Sequence, residues 1–456
     1  MSANPLLSAI DTGLSLSATH VTVYFAADGE KIDFVENHGA WTAYDRSMVM
    51  AALDTFAAVT NLTFSVTQDI DEATFKLTKS GSENGSLGFM NGPDPALGAA
   101  QGVAWFNDAH YWGDAASGLL DPGSYTFTIF LHEFGHGLGL AHPHDTGGGS
   151  TLLPQVGGGL GLDQGVYTVM TYNDGWPESP SGLPSSRAWG WNAGPSPLDV
   201  AVFQEKYGAN METGAGRSRY ELSDENTGYA AIWDVSGRDE IAYDGVRNTV
   251  IDLRAATLKT KPGGGGYVSH VEGVFGGFTI AKGVNIEVAK GGNGRDKITG
   301  NGSDNRLSGD GKADLIKGLN GADTLFGGSG KDNLFGGLGD DTLTGGQGAD
   351  QQAGGKGADL FVFAKAGHVA GDVIKDFKQN QGDMIDLSGI DAQKGTPGNQ
   401  SFTFSEAGFT GAAGQIAVRH AGGKTLVEGD RDGDGLADFT LTLNGALTLG
   451  AGDFLL

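Results

Sequence analysis

The chain has 456 residues, enough for two or more domains with cores of their own. Its 55 Asp plus Glu stand against 29 Lys plus Arg, and the net charge of -26 argues against nucleic acid and anionic membrane surfaces as partners and in favour of cations. There is no cysteine, which excludes disulfides and thiolate metal sites, and no apolar run is long enough for a transmembrane helix.

Met1 to Ile10 lacks the basic and apolar regions of a Sec signal peptide. Val21–Phe25 is β-branched and aromatic and reads as a strand. From Ser47 to Val59 the apolar residues Met48, Ala51, Ala52, Leu53, Phe56 and Val59 recur in a helical rhythm. Leu62–Val66 and Ala73–Leu77 read as strands, and Gly102–Phe106 as a short strand placed at a sheet edge. Asp121-Pro122 is a start signal for the helix that follows. Gly147 to Gly161 is too rich in glycine for a regular element. Ser196–Tyr207 closes the segment as a helix with Leu198, Val202, Phe203 and Tyr207 on one side. Residues 1–207 are therefore expected to form an α+β domain, and 208–456, with short alternating strands such as Thr249–Leu253, an all-β domain.

The helix after Asp121 carries His132-Glu133-Phe134-Gly135-His136-Gly137-Leu138-Gly139-Leu140-Ala141-His142. Residues four apart share a helical face, so His132 and His136 can grip one ion with Glu133 beside it. Gly139 can take a positive φ, end the helix and return His142 as a third ligand. Three protein ligands leave a coordination position open, the pattern of a catalytic zinc site. The plainer reading is a core helix with buried histidines. Gly135, Gly137 and Gly139 weigh against it, since a helix-interior glycine costs about 1 kcal/mol relative to alanine. Phe130, Leu131 and Phe134 would anchor the helix. His144 reads either as a competing ligand or as a solvated loop histidine.

Beyond residue 290 a nine-residue repeat runs in unbroken register from Gly291 to Val362, with glycine first in all eight copies. The sixth position holds Asp296, Asn305, Asp314, Asp323, Asp332, Asp341, Asp350 and Asp359, and the eighth is apolar except at Gln352. A tight glycine turn followed by a short strand, two copies per coil, predicts a parallel β-roll. The carboxylates would line up beside carbonyls of Gly292, Gly294, Gly309, Gly311, Gly328, Gly330, Gly337 and Gly339, a set of hard oxygens suited to Ca²⁺. A flexible acidic linker would not keep such a register. Asn305 predicts a weaker second site, and Gln352 a weaker core in the seventh copy. Asp359–Phe363, Asp383–Leu387, Ser401–Phe404 and Phe439–Leu443 read as further strands. Asp430, Asp432 and Asp434 resemble the start of an EF-hand loop without its last glutamate, so a calcium site and an acidic hairpin loop both stay open.

His132 to His142, followed by Met170 in Val169-Met170-Thr171-Tyr172, resembles the metzincin zinc peptidases. With the nonapeptide roll the chain resembles the serralysins, secreted bacterial endopeptidases. Asn61–Phe64, Trp105–Asn107, Tyr207–Asn210 and the terminal Asp453-Phe454-Leu455-Leu456 are similar to segments of that family. The resemblance implies a metzincin-like protease domain before a calcium-binding β-roll and β-sandwich. It implies zinc on His132, His136 and His142, with Tyr172 as a further ligand at rest that swings away to stabilise the oxyanion. Glu133 would be the general base, and Met170 would pack beneath the metal. Two more calcium sites are implied: Gly214, Gly216 and Ser218 with Asp234, Ser236 and Asp239; and Gly237, Asp239, Asn285 and Glu287.

The resemblance further implies protein and peptide substrates, bound as an extended strand against the edge near Gly102–Phe106, with broad specificity. It implies an extracellular monomer exported by type I secretion machinery through its C-terminal tail, and an inhibitor protein as a candidate partner. Two departures stand out. The 27 residues between His142 and Met170 form a short, glycine-rich connection, and the chain begins so near its first strand that a propeptide would be absent or short. The competing readings are a secreted β-roll adhesin or surface protein with an inactive peptidase domain, against which Glu133 and Tyr172 speak, and an autoprocessing toxin, for which no effector domain is visible.

Overall fold

Thr42 starts the first long helix, α1 (Ala43–Val59), through a reciprocal pair of bonds with Asp45 that satisfies two otherwise orphaned N–H groups. The helix therefore begins one turn earlier than its apolar rhythm suggests. In the computed structural model, which describes residues 2–81, 85–146, 150–153 and 161–456, α1 packs within the first of two units. This unit is Met1–Ser218 with Ser223–Gly237 and Ala255–Val284. The second is Arg219–Leu222, Arg238–Arg254 and Asn285–Leu456. The chain is thus divided at several points rather than once at residue 207. One cause is a parallel pairing of Tyr229–Ile232 with Gly277–Ile280, which holds these two distant segments together.

The strands of the first unit are β1 (His20–Phe25), β2 (Lys31–Ile32), β3 (Val35–Glu36), β4 (Thr63–Val66), β5 (Phe75–Lys79), β6 (Gly88–Met90) and β7 (Val103–Phe106). Five form a sheet in the order β4-β1-β5-β7-β6, parallel except for β6. The expectation that Gly102–Phe106 is the edge is therefore corrected. β7 lies between β5 and β6, and the three-residue β6 is the edge.

The motif helix α2 (Tyr125–Gly137) starts at Ser124, whose hydroxyl accepts from Phe127 N, and not at Asp121-Pro122. A side-chain acceptor one residue before the helix outranks the proline signal further upstream. Phe127, Phe130, Leu131 and Phe134 on α2 are fully buried. Each contributes about 1.5–3 kcal/mol of apolar burial, which outweighs the cost of the glycines. The last helix, α3 (Pro197–Tyr207), opens at Ser196, whose N–H donates to Asp199 Oδ2 at 2.9 Å.

In the second unit the nine-residue register becomes two stacks of parallel strands, paired with an offset of 18 residues. One inward column runs Ile298, Ile316, Leu334, Gln352 and Ile374. The other runs Leu307, Leu325, Leu343, Phe361 and Ile385. All ten side chains are at most 1% exposed, so the roll is held by a narrow dry seam. An antiparallel meander of Gln415–Ala421, Lys424–Asp430 and Phe439–Asn444 continues one stack, and Phe454–Leu455 closes the other.

Candidate metal centre

His132 and His136 project from one face of α2, and Gly139, at φ 93°, turns the chain so that His142 meets them. His142 Nε2 lies 3.1 Å from His132 Nε2 and 3.0 Å from His136 Nε2. These approaches cannot be ordinary hydrogen bonds. His132 Nδ1 faces the Val169 carbonyl at 2.8 Å, His136 Nδ1 the Leu140 carbonyl at 3.1 Å, and His142 Nδ1 the Asp145 carboxylate at 2.9 Å. Each Nδ1 must carry the proton, so three bare Nε2 lone pairs converge on one point. Tetrahedral ligands with Zn–N bonds of about 2.0–2.1 Å stand roughly 3.3 Å apart, so the spacing and the donor set fit zinc. Burial, then the neighbouring imidazoles, holds the His132 pKa well below its usual value. Burial, then His142, lowers His136 to about 4, and His142 is also lowered, chiefly by burial. All three are thus neutral donors near pH 7.

Glu133 is buried beside this point, and burial pushes its pKa up to about 8. A Cβ on Gly88 of the edge strand would lie 2.7 Å from Glu133 Oε1, so only glycine lets β6 pass so close. Leu87 O accepts from Asn107 N, and Asn91 N donates to Val103 O. By antiparallel alternation, Gly88 and Met90 turn their main-chain groups to the open side of the sheet, beside the metal point.

Behind it, Val169-Met170 is pinned by α3. Asp199 accepts from Thr168 Oγ1 at 2.6 Å and from Val169 N at 2.9 Å. Met170 is fully buried against Gly135. Tyr172 leaves this turn 68% exposed, with its ring 4.8 Å from that of His142 and 4.4 Å from that of His144. His144 is therefore not free in solvent: it stacks on His142 at 5.0 Å, outside the three converging Nε2 donors. One of its ring nitrogens lies within 4.8 Å of ligand atoms of His142 and Asp145, so the competing-ligand reading stays open.

A family model described as Peptidase M10 serralysin C terminal matches residues 203–456, and one described as Matrixin matches 34–154. The metallopeptidase AprA of Pseudomonas marginalis is 34% identical over 435 residues, spanning 90% of this chain and 80% of its own. The chain belongs to the serralysin family. A serralysin of Proteus mirabilis is 35% identical over 45% of this chain and 40% of its own, and serralysin G of Dickeya chrysanthemi 31% identical over 64% and 61%. Among solved structures, the AlgE6R3 subunit of the Azotobacter vinelandii mannuronan C5-epimerase is similar at 30% identity over 32% of this chain and 80% of that one, with a TM-score of 0.25. As a serralysin, the chain is a metalloendopeptidase and acts on peptide bonds.

The serralysin C-terminal half presents a second kind of site. Asp296 N donates to Asp314 Oδ1, and the ladder continues through Asp332 and Asp350 to Asp372. A parallel ladder joins Asn305, Asp323, Asp341, Asp359 and Asp383. One oxygen of each linked carboxylate is thus used. The other, Oδ2, is buried without a partner in Asp296, Asp314, Asp323, Asp332, Asp341, Asp350, Asp359 and Asp372. A Cβ on Gly327 would lie 2.5 Å from both Asp332 Oδ2 and the Gly345 carbonyl, so carboxylate and carbonyl oxygens of successive coils face one gap. Such oxygen sets fit Ca²⁺. Gly328 and Gly337, at φ 109° and 126°, sit directly over carbonyls of the preceding coil. Asn305 differs: its Oδ1 accepts from Asn301 N and its Nδ2 donates to Asn301 Oδ1, which leaves no orphaned atom.

The remaining sites expected from sequence are gathered less fully. Gly214 packs against the Asp234 carboxylate, Asp234 accepts from Ser236 N, and Gly216 N donates to Ser236 O. Separately, Asp239 N and Asn285 Nδ2 both donate to Glu287. Asp430, Asp432 and Asp434 offer oxygens within 4.8 Å of one another, but the buried Asp430 is already taken by Gly433 N and Gly435 N. Residues 147–149 and 154–160 of the glycine-rich connection lie outside the described residues. Sequence reasoning missed β6, Asp145, Asp372 and Asp383. Only Asp145, three residues after His142, carried a signal in its spacing to the motif.

Proposed function

We propose that this serralysin cleaves extracellular proteins with zinc held by His132, His136 and His142. The convergence of three bare imidazole nitrogens carries the reading. When bound, zinc supplies a Lewis acid that acidifies water and polarises a carbonyl. Glu133, buried beside the point where the imidazoles converge, would remove a proton from the attacking water and pass it to the leaving amine. The Tyr172 hydroxyl, on a largely exposed ring that rests against His142 and His144, would donate to the developing oxyanion and would ligate the metal at rest. Gly88 and Met90 pair with the substrate main chain, which places little demand on most side chains.

Calcium would be held in the roll by the orphaned aspartate oxygens; one further ion would use Gly214, Gly216 and Ser218 with Asp234, Ser236 and Asp239, and another Gly237, Asp239, Asn285 and Glu287. The roll stays unfolded without calcium and folds after type I export, so that binding supplies folding free energy outside the cell. Among the described residues no helix is long and apolar enough to cross a membrane. An inhibitor protein is a further candidate partner.

The test is Glu133→Ala in the calcium-loaded protein. The wild type should hold about one zinc ion per chain and cleave casein. The variant should keep its zinc and lose activity by about 10²- to 10⁴-fold. If the wild type cleaves nothing and the variant behaves alike, the enzyme reading falls and the calcium-roll binding protein takes its place.

A further inference from the structure

Two cavities flank Glu133. One, of about 410 Å³, runs along the Gly88–Asp94 end of β6 to His142. The other, of about 310 Å³, lies at the Gly85–Gly88 end and is bounded by Tyr125, Thr128 and Ile129 of α2 and by Asp174. A substrate strand antiparallel to β6 sends the residue after the scissile bond into this second cavity.

Its charge is one-sided. Among the described residues, Asp174 is the charged side chain lining it besides Glu133, and no lysine or arginine does so. Asp174 is two residues beyond Tyr172, on the same turn that positions the tyrosine. Tyr125 hydrogen-bonds to Asp174, and Arg187 is held on the rings around it, with its guanidinium 3.9 Å from the Tyr125 centroid and 4.9 Å from that of Trp191. The arginine braces the tyrosine and also stabilises the Asp174 charge from a distance, but it does not line the cavity, whose polar end remains the carboxylate.

We propose that Asp174 selects a basic side chain, arginine or lysine, immediately after the scissile bond. This rests on the active-site reading above and names the substrate class it favours. A guanidinium entering beside Thr128 and Ile129 lays its alkyl stem on the apolar wall and donates to Asp174 in a charge-assisted bond. A glutamate there meets the Asp174 carboxylate and is rejected.

Three fluorogenic peptides identical except for Arg, Leu or Glu at that position test this at fixed pH with the zinc- and calcium-loaded full chain, the cleaved bond being confirmed by mass. The wild type should favour Arg over Glu in kcat/KM by about 10- to 100-fold or more. Asp174→Asn should lower the Arg-to-Leu ratio by about 10-fold, and Asp174→Lys should reverse the order of Arg and Glu. Asp174→Ser repeats the comparison if asparagine disturbs the turn, with zinc content as the check on the site. Equal cleavage of Arg and Glu peptides by the wild type overturns the proposal without any variant. So does an Arg-to-Leu ratio unchanged in a zinc-replete Asp174→Asn. Failure to cleave any of the three overturns the active-site reading together with this one; cleavage without charge preference overturns this one alone.

Discussion

A Cβ placed on Gly135 would lie 2.5 Å from the sulfur of Met170. The glycine thus sets how closely the methionine turn approaches the back of α2, and that turn holds His132 through the Val169 carbonyl. Gly135→Ala should push Met170 out of its site, at a cost of about 1–3 kcal/mol for overpacking. The expected result is a lower unfolding midpoint of the peptidase unit in urea and a faster loss of zinc to a chelator.

Gly88→Ala addresses the other side of the metal point. Here the new methyl meets the Glu133 carboxylate and not the core. Displacing a general base by about 1 Å can cost on the order of 10²-fold in rate. The variant should therefore retain zinc and its unfolding midpoint while kcat falls about 10- to 100-fold, a split that steady-state kinetics alongside metal analysis would reveal.

The roll makes a pH prediction whose sign is unusual for carboxylates. Without metal, burial raises Asp314 to about 8 and Asp332, Asp341 and Asp372 to about 7, while Asp296, Asp323 and Asp359 are raised to about 6. All start from 3.8. The folded calcium-free roll therefore binds more protons than the unfolded chain, and its stability falls as pH rises between about 4 and 8. Protons should partly replace calcium. Circular dichroism of EDTA-treated protein should show more strand near pH 4.5 than near pH 8, and calcium affinity should weaken on acidification.

What could be seen in the sequence depended on periodicity. The nonapeptide register dictates its own pairing, since each coil repeats the chemistry of the last, and α2 was visible because His132, His136 and Gly139 have fixed helical spacing. β6 was not, because three residues, Gly88 to Met90, are too short to show alternation, and its edge position follows from the order of the whole sheet. Asp372 and Asp383 extend the aspartate ladders but stand 22 and 24 residues beyond their partners instead of 18, so no repeat points to them. The return of residues 255–284 to the first unit rests on long-range strand pairing, which local composition does not encode.

Gln352 interrupts the inward column between Leu334 and Ile374. It is 0% exposed, and neither its Oε1 nor its Nε2 has a hydrogen-bond partner. Leaving buried polar groups unpaired costs about 1–3 kcal/mol, and an aliphatic side chain of similar size would replace that cost with dry contacts to both neighbours. Gln352→Leu should therefore raise the urea midpoint of the calcium-loaded roll by an amount equivalent to about 1–3 kcal/mol. It should also lower the calcium concentration at which strand content is half-formed, since a more stable apo roll needs less binding energy to fold. The peptidase unit should be unaffected, with casein hydrolysis unchanged at saturating calcium. If Gln352→Leu proves neutral or destabilising, the glutamine has a partner inside the roll, and the seam is not dry at the seventh copy.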